Sequence, residues 1–255
     1  LTHMEEHYNK VLLNFGQKIL IILKVLKKYS TTELKCAHSQ LKENGRQILR
    51  QNKISKKFVY LISPNKIENE DFYADLALVL KSRKVSFFQL RLKNETIKNK
   101  LTIGKKIKKI CKKYNVKFLV NDEPKLAKIL NTDGCHLGQK DMDILKARKI
   151  LKNKIIGITC HNSINLCKKA IKRGADYLAL GAFYSSKTKK VRYKANLKIL
   201  RSAKKITNTP VVAIGGIKLS NYKKLLLNKA NFLAISGYIW NNNKYKPLEA
   251  IKKLK

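Results

Sequence analysis

A chain of 255 residues, 44% of them hydrophobic, can bury one sizeable core, and a single α/β barrel commonly takes about 250 residues. The 57 Lys and Arg against 16 Asp and Glu give a net charge of +41, which draws polyanions non-specifically by counterion release. The basic residues are nearly all Lys and are spread over every expected helix, with no arginine-rich arm, zinc finger or RNP-like motif, so no specific nucleic-acid partner is expected.

Residues 1–57 differ from the rest. Val11, Leu12, Phe15, Ile19, Ile22, Leu23 and Leu26 recur at helical spacing, and Leu34, Leu41, Ile48 and Leu49 suggest a second, weaker helix interrupted by Gly45. The segment has no strand pattern and no catalytic constellation. Packing on the main domain, self-association into a homo-oligomer and partner binding are all open to it. No stretch reaches the roughly 18 apolar residues of a spanning helix. Ile19 to Leu23 is too short, lysines flank it, and no small-residue cleavage site follows. Neither a membrane span nor a signal peptide is expected.

From about residue 58 short apolar runs alternate with Lys-rich helical stretches. Strands are expected at Phe58 to Ile62, Val85 to Leu90, Val116 to Val120, Gly134 to Leu137, Ile155 to Ile158, Tyr177 to Leu180, Pro210 to Ile214 and Phe232 to Ile235. Helices are expected between and after them, at Phe72 to Leu80, Ile97 to Tyr114, Lys125 to Leu130, Ile144 to Leu151, Ser163 to Arg173, Leu197 to Ile206, Tyr222 to Asn228 and Pro247 to Leu254. Strand-then-helix alternation implies parallel strands with right-handed crossovers. Eight such units imply a closed (β/α)8 TIM barrel over 58–255 behind a helical N-terminal extension over 1–57. An open doubly wound sheet would want a Gly-rich turn after its first strand, where this chain has Ser63-Pro64-Asn65.

In a barrel the active site lies where the strands end, so the polar residues at those exits form the candidate list. Strand two ends in Gln89-Leu-Arg-Leu-Lys93, and alternation sets Gln89, Arg91 and Lys93 on one side. An amide and two cations there suit a polyphosphate, or simply a solvated helix start. Strand three delivers Asn121 and Asp122, and strand four delivers Gln139 and Asp141. The two Asp residues can converge on a hard cation or cap the helices that follow. Strand five delivers Thr159 and His161, the latter a ligand contact or a helix cap. Ser185 to Lys189 after strand six carries hydroxyls and lysines. Gly215-Gly216 and Ser236-Gly237 end strands seven and eight, where backbone N–H groups can meet an anion and where barrels recurrently bind phosphate. Two phosphorylated small-molecule substrates meeting on one barrel is the natural reading.

These residues resemble a known family. Gln89-Leu-Arg-Leu-Lys93, Asn121-Asp122, Asp133-Gly-Cys-His-Leu-Gly-Gln-Lys-Asp141, Gly157-Ile-Thr-Cys-His161, Gly174-Ala-Asp-Tyr177, Lys187-Thr-Lys189 and Ala213-Ile-Gly-Gly-Ile217 look like the thiamine-phosphate synthase family, in family order, over about residues 58–254. The resemblance implies a transferase of thiamine biosynthesis that joins hydroxymethylpyrimidine diphosphate to thiazole phosphate and releases diphosphate. It implies Mg²⁺ held by Asp122 and Asp141. It implies contacts from Gln89, Arg91, Lys93, Asn121 and Lys189 to the pyrimidine diphosphate, with Arg91, Lys93, Asn121 and Lys189 acting on the reaction itself. Thr159 stands on the pyrimidine side, where the family usually has Ser. Ser186, Lys187 and Thr188 would lie along the thiazole phosphate, and Gly216, Ser236 and Gly237 would bind its phosphate group.

The chain departs from the family at Ser186, where Thr is usual, at Ala182 and Ser185, which replace prolines, and at Ile235-Ser-Gly237, where the family has an aliphatic residue, Ser and Ala. These changes bear on the thiazole side. Two rival readings are a thiazole tautomerase, an isomerase lacking the metal-binding Asp pair, and a non-catalytic basic barrel that binds RNA in a salt-sensitive way. The five cysteines, Cys36, Cys111, Cys135, Cys160 and Cys167, form no CxxC pair and are odd in number. They read as reduced thiols of a cytoplasmic protein rather than a disulfide framework, with Cys135 and Cys160 as small buried residues on strands.

Overall fold

The computed structural model describes residues 57–186 and 193–255. The two expected N-terminal helices and Lys187, Thr188 and Lys189 lie outside the described residues. Eight parallel strands close in sequence order into a barrel. They are β1 (Val59–Ile62), β2 (Val85–Leu90), β3 (Lys117–Asn121), β4 (Gly134–Leu137), β5 (Ile155–His161), β6 (Tyr177–Gly181), β7 (Val211–Ile214) and β8 (Phe232–Ile235). The barrel is sealed by β1 pairing with β8, Val59 opposite Leu233 and Leu61 opposite Ile235. The expected fold class is therefore the observed one.

The helices are α1 (Asp71–Lys81), α2 (Ile97–Lys113), α3 (Pro124–Ile129), α4 (Ile144–Leu151), α5 (Ile164–Lys172), α6 (Lys198–Ile206), α7 (Tyr222–Leu227), α8 (Gly237–Trp240) and α9 (Pro247–Lys253). Local chemistry starts several of them. Thr96 accepts from Asn99 N at 3.2 Å before α2, Asp143 accepts from Leu145 N at 2.9 Å before α4, and Ser163 accepts from Leu166 N at 3.3 Å before α5. Pro124 and Pro247 open α3 and α9, where a missing N–H costs nothing.

Strand alternation divides the core in two. Outward-facing residues such as Leu61, Phe88, Val120, Leu178 and Leu233 pack beneath the helices. Inward-facing Tyr60, Ile62, Leu119, Tyr177, Ala179, Val212 and Ala234 fill the barrel, with Phe87, Ile155 and Phe232 against them. Both faces of every strand are thus occupied, which is why the strands read as nearly continuous apolar runs.

Two elements differ from expectation. Strand β5 runs on to His161 rather than ending at Ile158, with a register shift against β6 between Thr159 and His161. Its polar end broke the apolar run, yet ladder pairing continues through it. Helix α8 was not foreseen, because four residues are too few to show a period. Tertiary anchors hold it: Trp240 Nε1 donates to Ile62 O at 2.7 Å and Ser236 Oγ donates to Ser63 O at 3.0 Å.

Candidate active site

The carboxyl ends of β2 to β5 gather half of the expected site residues. On β2, Gln89 points into the barrel, 2% exposed, and its Nε2 donates to Asn121 Oδ1 at 2.7 Å. Arg91 follows, half-buried, with Nη1 donating to Asn65 Oδ1 at 2.9 Å. Burial lowers the Arg91 pKa, and the charge of Asp122 offsets part of that.

Asp122 adopts φ 63°, a left-handed conformation that Asp tolerates better than most residues. Its N–H donates to His136 O at 2.7 Å, which ties the turn to β4. Lys93 Nζ stands 3.2 Å from Asp122 Oδ2. From the neighbouring exit, Asp141 accepts from Gly138 N at 2.6 Å. A Cβ on Gly138 would come within 2.9 Å of that same Asp141 oxygen, so a side chain there would crowd the carboxylate.

Neither Asp caps a helix. Glu123 holds the capping position of α3 without a side-chain bond, and Asp143 caps α4. Instead the Asp122 and Asp141 carboxyl groups lie close enough that each shifts the ionisation of the other. Burial and the neighbouring Asp122 carboxyl push the Asp141 carboxyl above its usual range. Burial opposes ionisation of Asp122 too, but the Asp141 carboxyl and the Lys93 ammonium outweigh it and hold its pKa low. Two carboxylates held this close share a proton or take up a cation. That donor set fits a hard divalent ion. Among the described residues no cluster of three or more His, Cys, Asp or Glu is suited to a metal, so the protein itself offers two carboxylates there.

On β5, Thr159 faces inward, and its hydroxyl lies 2.8 Å from His136 Nε2. Gln139 donates through Nε2 to Thr159 O, joining the strand-four and strand-five exits. Ser163, not His161, holds the capping position of α5. His161 instead lies against the Tyr193 ring, centroids 4.2 Å apart. A cavity of ≈ 200 Å³ opens beside Lys93, Asn121 and Asp122, and one of ≈ 570 Å³ beside Gln139, His161 and Tyr193.

The far side of the mouth is built from the β6, β7 and β8 exits. Ser186 follows β6 on this side and is the last described residue before Lys187. Gly216 has φ 58°, and a Cβ there would lie 2.2 Å from Ser185 O, so the β6 and β7 loops pack too closely for a side chain. Asn221 Nδ2 donates to Gly216 O at 3.0 Å. Ser236 and Gly237 stand at the start of α8.

The sequence reading missed His136, Tyr177 and Tyr60. His136 is 7% exposed and is paired in the sheet with Asn121. Its position two residues after Gly134, on an alternating strand, was the signal that could have found it.

The sequence matches the family profile described as thiamine monophosphate synthase over residues 59–239. This chain belongs to the thiamine monophosphate synthase family. The matched span runs from β1 to α8 and includes every site residue named above. A thiamine-phosphate synthase of Pelagibacter ubique (strain HTCC1062) is 78% identical over 207 residues, 81% of this chain and 100% of that protein. One from Nitrosomonas eutropha is 37% identical over 184 residues, 72% of this chain and 86% of that protein. A solved thiamine phosphate pyrophosphorylase from Pyrococcus furiosus superposes with a TM-score of 0.69 at 28% identity, covering 80% of this chain and 96% of that chain. A 3-hexulose-6-phosphate synthase structure, 17% identical with a TM-score of 0.55 over 77% of this chain and 98% of that chain, shares the fold alone. Among the described residues no helix is long and apolar enough to cross a membrane.

Proposed function

We propose that this family member couples hydroxymethylpyrimidine diphosphate to thiazole phosphate, giving thiamine phosphate and diphosphate, and that Asp122 and Asp141 hold the Mg²⁺ the reaction uses. The observation that carries this reading is the contact between those two carboxylates at one mouth of the barrel, with Lys93 3.2 Å from Asp122. An isomerase that works without metal gives no use for such a pair, and a purely RNA-binding barrel gives none for inward-facing Gln89 and Asn121.

The chemistry asked of the chain is leaving-group stabilisation. The C–O bond between the pyrimidine methylene and the diphosphate breaks, its electron pair leaving on oxygen. The thiazole nitrogen lone pair forms the new C–N bond. Arg91 and Lys93 meet the charge that grows on the departing diphosphate, and Lys189 adds a third cation. Bound Mg²⁺ supplies further neutralisation of that charge. Gln89 fixes the Asn121 amide so that its N–H groups face the substrate. Thr159 contacts the pyrimidine. By family resemblance Ser186, Lys187 and Thr188 act on the thiazole phosphate, and the backbone at Gly216, Ser236 and Gly237 receives its phosphate group. No side-chain nucleophile is required.

The four described cysteines, Cys111, Cys135, Cys160 and Cys167, are free and buried, which suits a protein working in a reducing, cytoplasmic setting. The test is an assay with the two phosphorylated precursors, with and without Mg²⁺, on the wild type and on Asp122→Ala. Turnover that requires Mg²⁺ and falls at least a hundredfold in Asp122→Ala is expected, in the range for loss of a group that stabilises developing charge. Equal, metal-independent turnover in both proteins would remove the assignment.

A further inference from the structure

Four polar side chains form a line through the barrel interior, and three of them, Tyr60, Tyr177 and His136, have no role in the reaction above. Tyr60 OH and Tyr177 OH are 2.8 Å apart, Tyr177 OH is 2.8 Å from His136 Nδ1, and His136 Nε2 is 2.8 Å from Thr159 Oγ1. Tyr60 is 2% exposed, Tyr177 3% and His136 7%. The line begins in the apolar barrel centre and ends at Thr159, at the mouth. It is built in deliberately: a Cβ on Gly157 would stand 1.8 Å from Tyr177 Cζ, so glycine at that position is what admits the Tyr177 ring. The His136 ring stacks on it at 5.6 Å with 17° between planes.

Hydrogen-bond accounting gives the line one direction. Tyr60 OH has Tyr177 OH as its hydrogen-bond partner among the described residues. If His136 carried its proton on Nδ1, it would donate to Tyr177, Tyr177 would donate to Tyr60, and the buried Tyr60 O–H would be left without an acceptor. Protonation of both ring nitrogens gives the same stranded O–H. A stranded donor in an apolar interior disfavours either arrangement by about tenfold or more. The opposite sense satisfies every group. Tyr60 donates to Tyr177, Tyr177 donates to Nδ1, and Nε2–H donates to Thr159 Oγ1. The Thr159 hydroxyl then accepts from inside the barrel, and its own hydrogen is left to donate outward.

We propose that His136 is a positioning residue: carrying its proton on Nε2, it fixes the Thr159 hydroxyl as a hydrogen-bond donor to an acceptor atom, such as a ring nitrogen, of the pyrimidine substrate. The substrate half of this statement rests on Thr159 contacting the pyrimidine, as in the function proposed above; the tautomer half does not. A site built to donate selects against analogues that lack the acceptor, because the donor is then left unpaired.

Two measurements on the full chain test it. In protein carrying ¹⁵N-labelled histidine, imidazole nitrogen NMR reads the tautomer without any substrate, with the His136 signals identified by their loss in His136→Gln. A protonated Nε2 and an unprotonated Nδ1 are expected, and Tyr60→Phe is expected to keep that tautomer, because the buried Tyr177 O–H still needs Nδ1 as its acceptor. A proton on Nδ1, or on both nitrogens, overturns the proposal even if the synthase reading stands. In steady-state kinetics, His136→Phe and Thr159→Val are each expected to raise KM for the pyrimidine diphosphate about tenfold and to leave KM for thiazole phosphate unchanged. Adding His136→Phe to Thr159→Val is expected to cost nothing more, because the two act as one unit. His136→Gln, whose amide can still donate toward Thr159, is expected to recover most of the loss. Additive effects, or equal changes in both KM values, overturn the proposal. Absence of turnover in every protein would sink the synthase reading and the substrate half with it, while the tautomer result still decides the line itself.

Discussion

Gln89 Nε2 donates to Asn121 Oδ1 at 2.7 Å, across adjacent strands at the barrel mouth. This bond spends the Asn121 acceptor and leaves its two N–H donors for substrate. Gln89→Leu keeps the approximate volume and removes the orienting donor. kcat/KM for the pyrimidine diphosphate is expected to fall about tenfold to a hundredfold, since a misaligned donor is lost from the charge-stabilising set. Steady-state kinetics check this, and unchanged constants would show that Asn121 needs no such orientation.

The metal should bind weakly alone. Two carboxylates and no third ligand of the same kind among the described residues leave most of an octahedral shell to water or to substrate oxygens. Calorimetric titration is expected to show Mg²⁺ binding at least about tenfold tighter with diphosphate present than without it, and Asp141→Asn should abolish most of that difference. Treatment with EDTA should stop turnover, and added Mg²⁺ should restore it. Tight Mg²⁺ binding in the absence of diphosphate would point to a different ligand set.

Gly157 and Tyr177 are matched in volume across β5 and β6. A Cβ at Gly157 would fall 1.8 Å from Tyr177 Cζ and 2.2 Å from its Cε1. Gly157→Ala is therefore expected to destabilise the protein by about 1–3 kcal/mol or more through overpacking. Tyr177→Leu in the same chain should return part of the loss. Urea unfolding of the two variants, followed by circular dichroism, checks both values. A Gly157→Ala protein as stable as the wild type would mean the interior is looser than these contacts imply.

The family match runs over residues 59–239 and takes in none of residues 1–56. Removal of residues 1–56 is accordingly expected to leave kcat/KM within about threefold of the full chain, which is less than 1 kcal/mol of barrier. Lys57 is retained because its carbonyl accepts from Ser86 Oγ. A larger loss, measured with the same assay, would place the segment in the catalytic unit.

Order along the chain was enough for the barrel. Each strand is buried on both faces, so its apolar run announced it, and Ser163, Asp143 and Pro124 marked helix starts by local chemistry. The same locality exposed Gln89, Asn121, Asp122 and Asp141, because polar residues at the end of an apolar run stand out without any knowledge of their neighbours. The pairing of the two carboxylates, the place of His161 beside Tyr193, the helix at Gly237 and the line from Tyr60 to Thr159 depend on residues far apart in sequence meeting in space. Tyr60 and Tyr177 are 117 positions apart, and inside a strand each looks like one more apolar residue. Their hydroxyls acquire partners, and Thr159 acquires a direction, only when the sheet closes and brings β1 and β6 across one interior from which water is excluded.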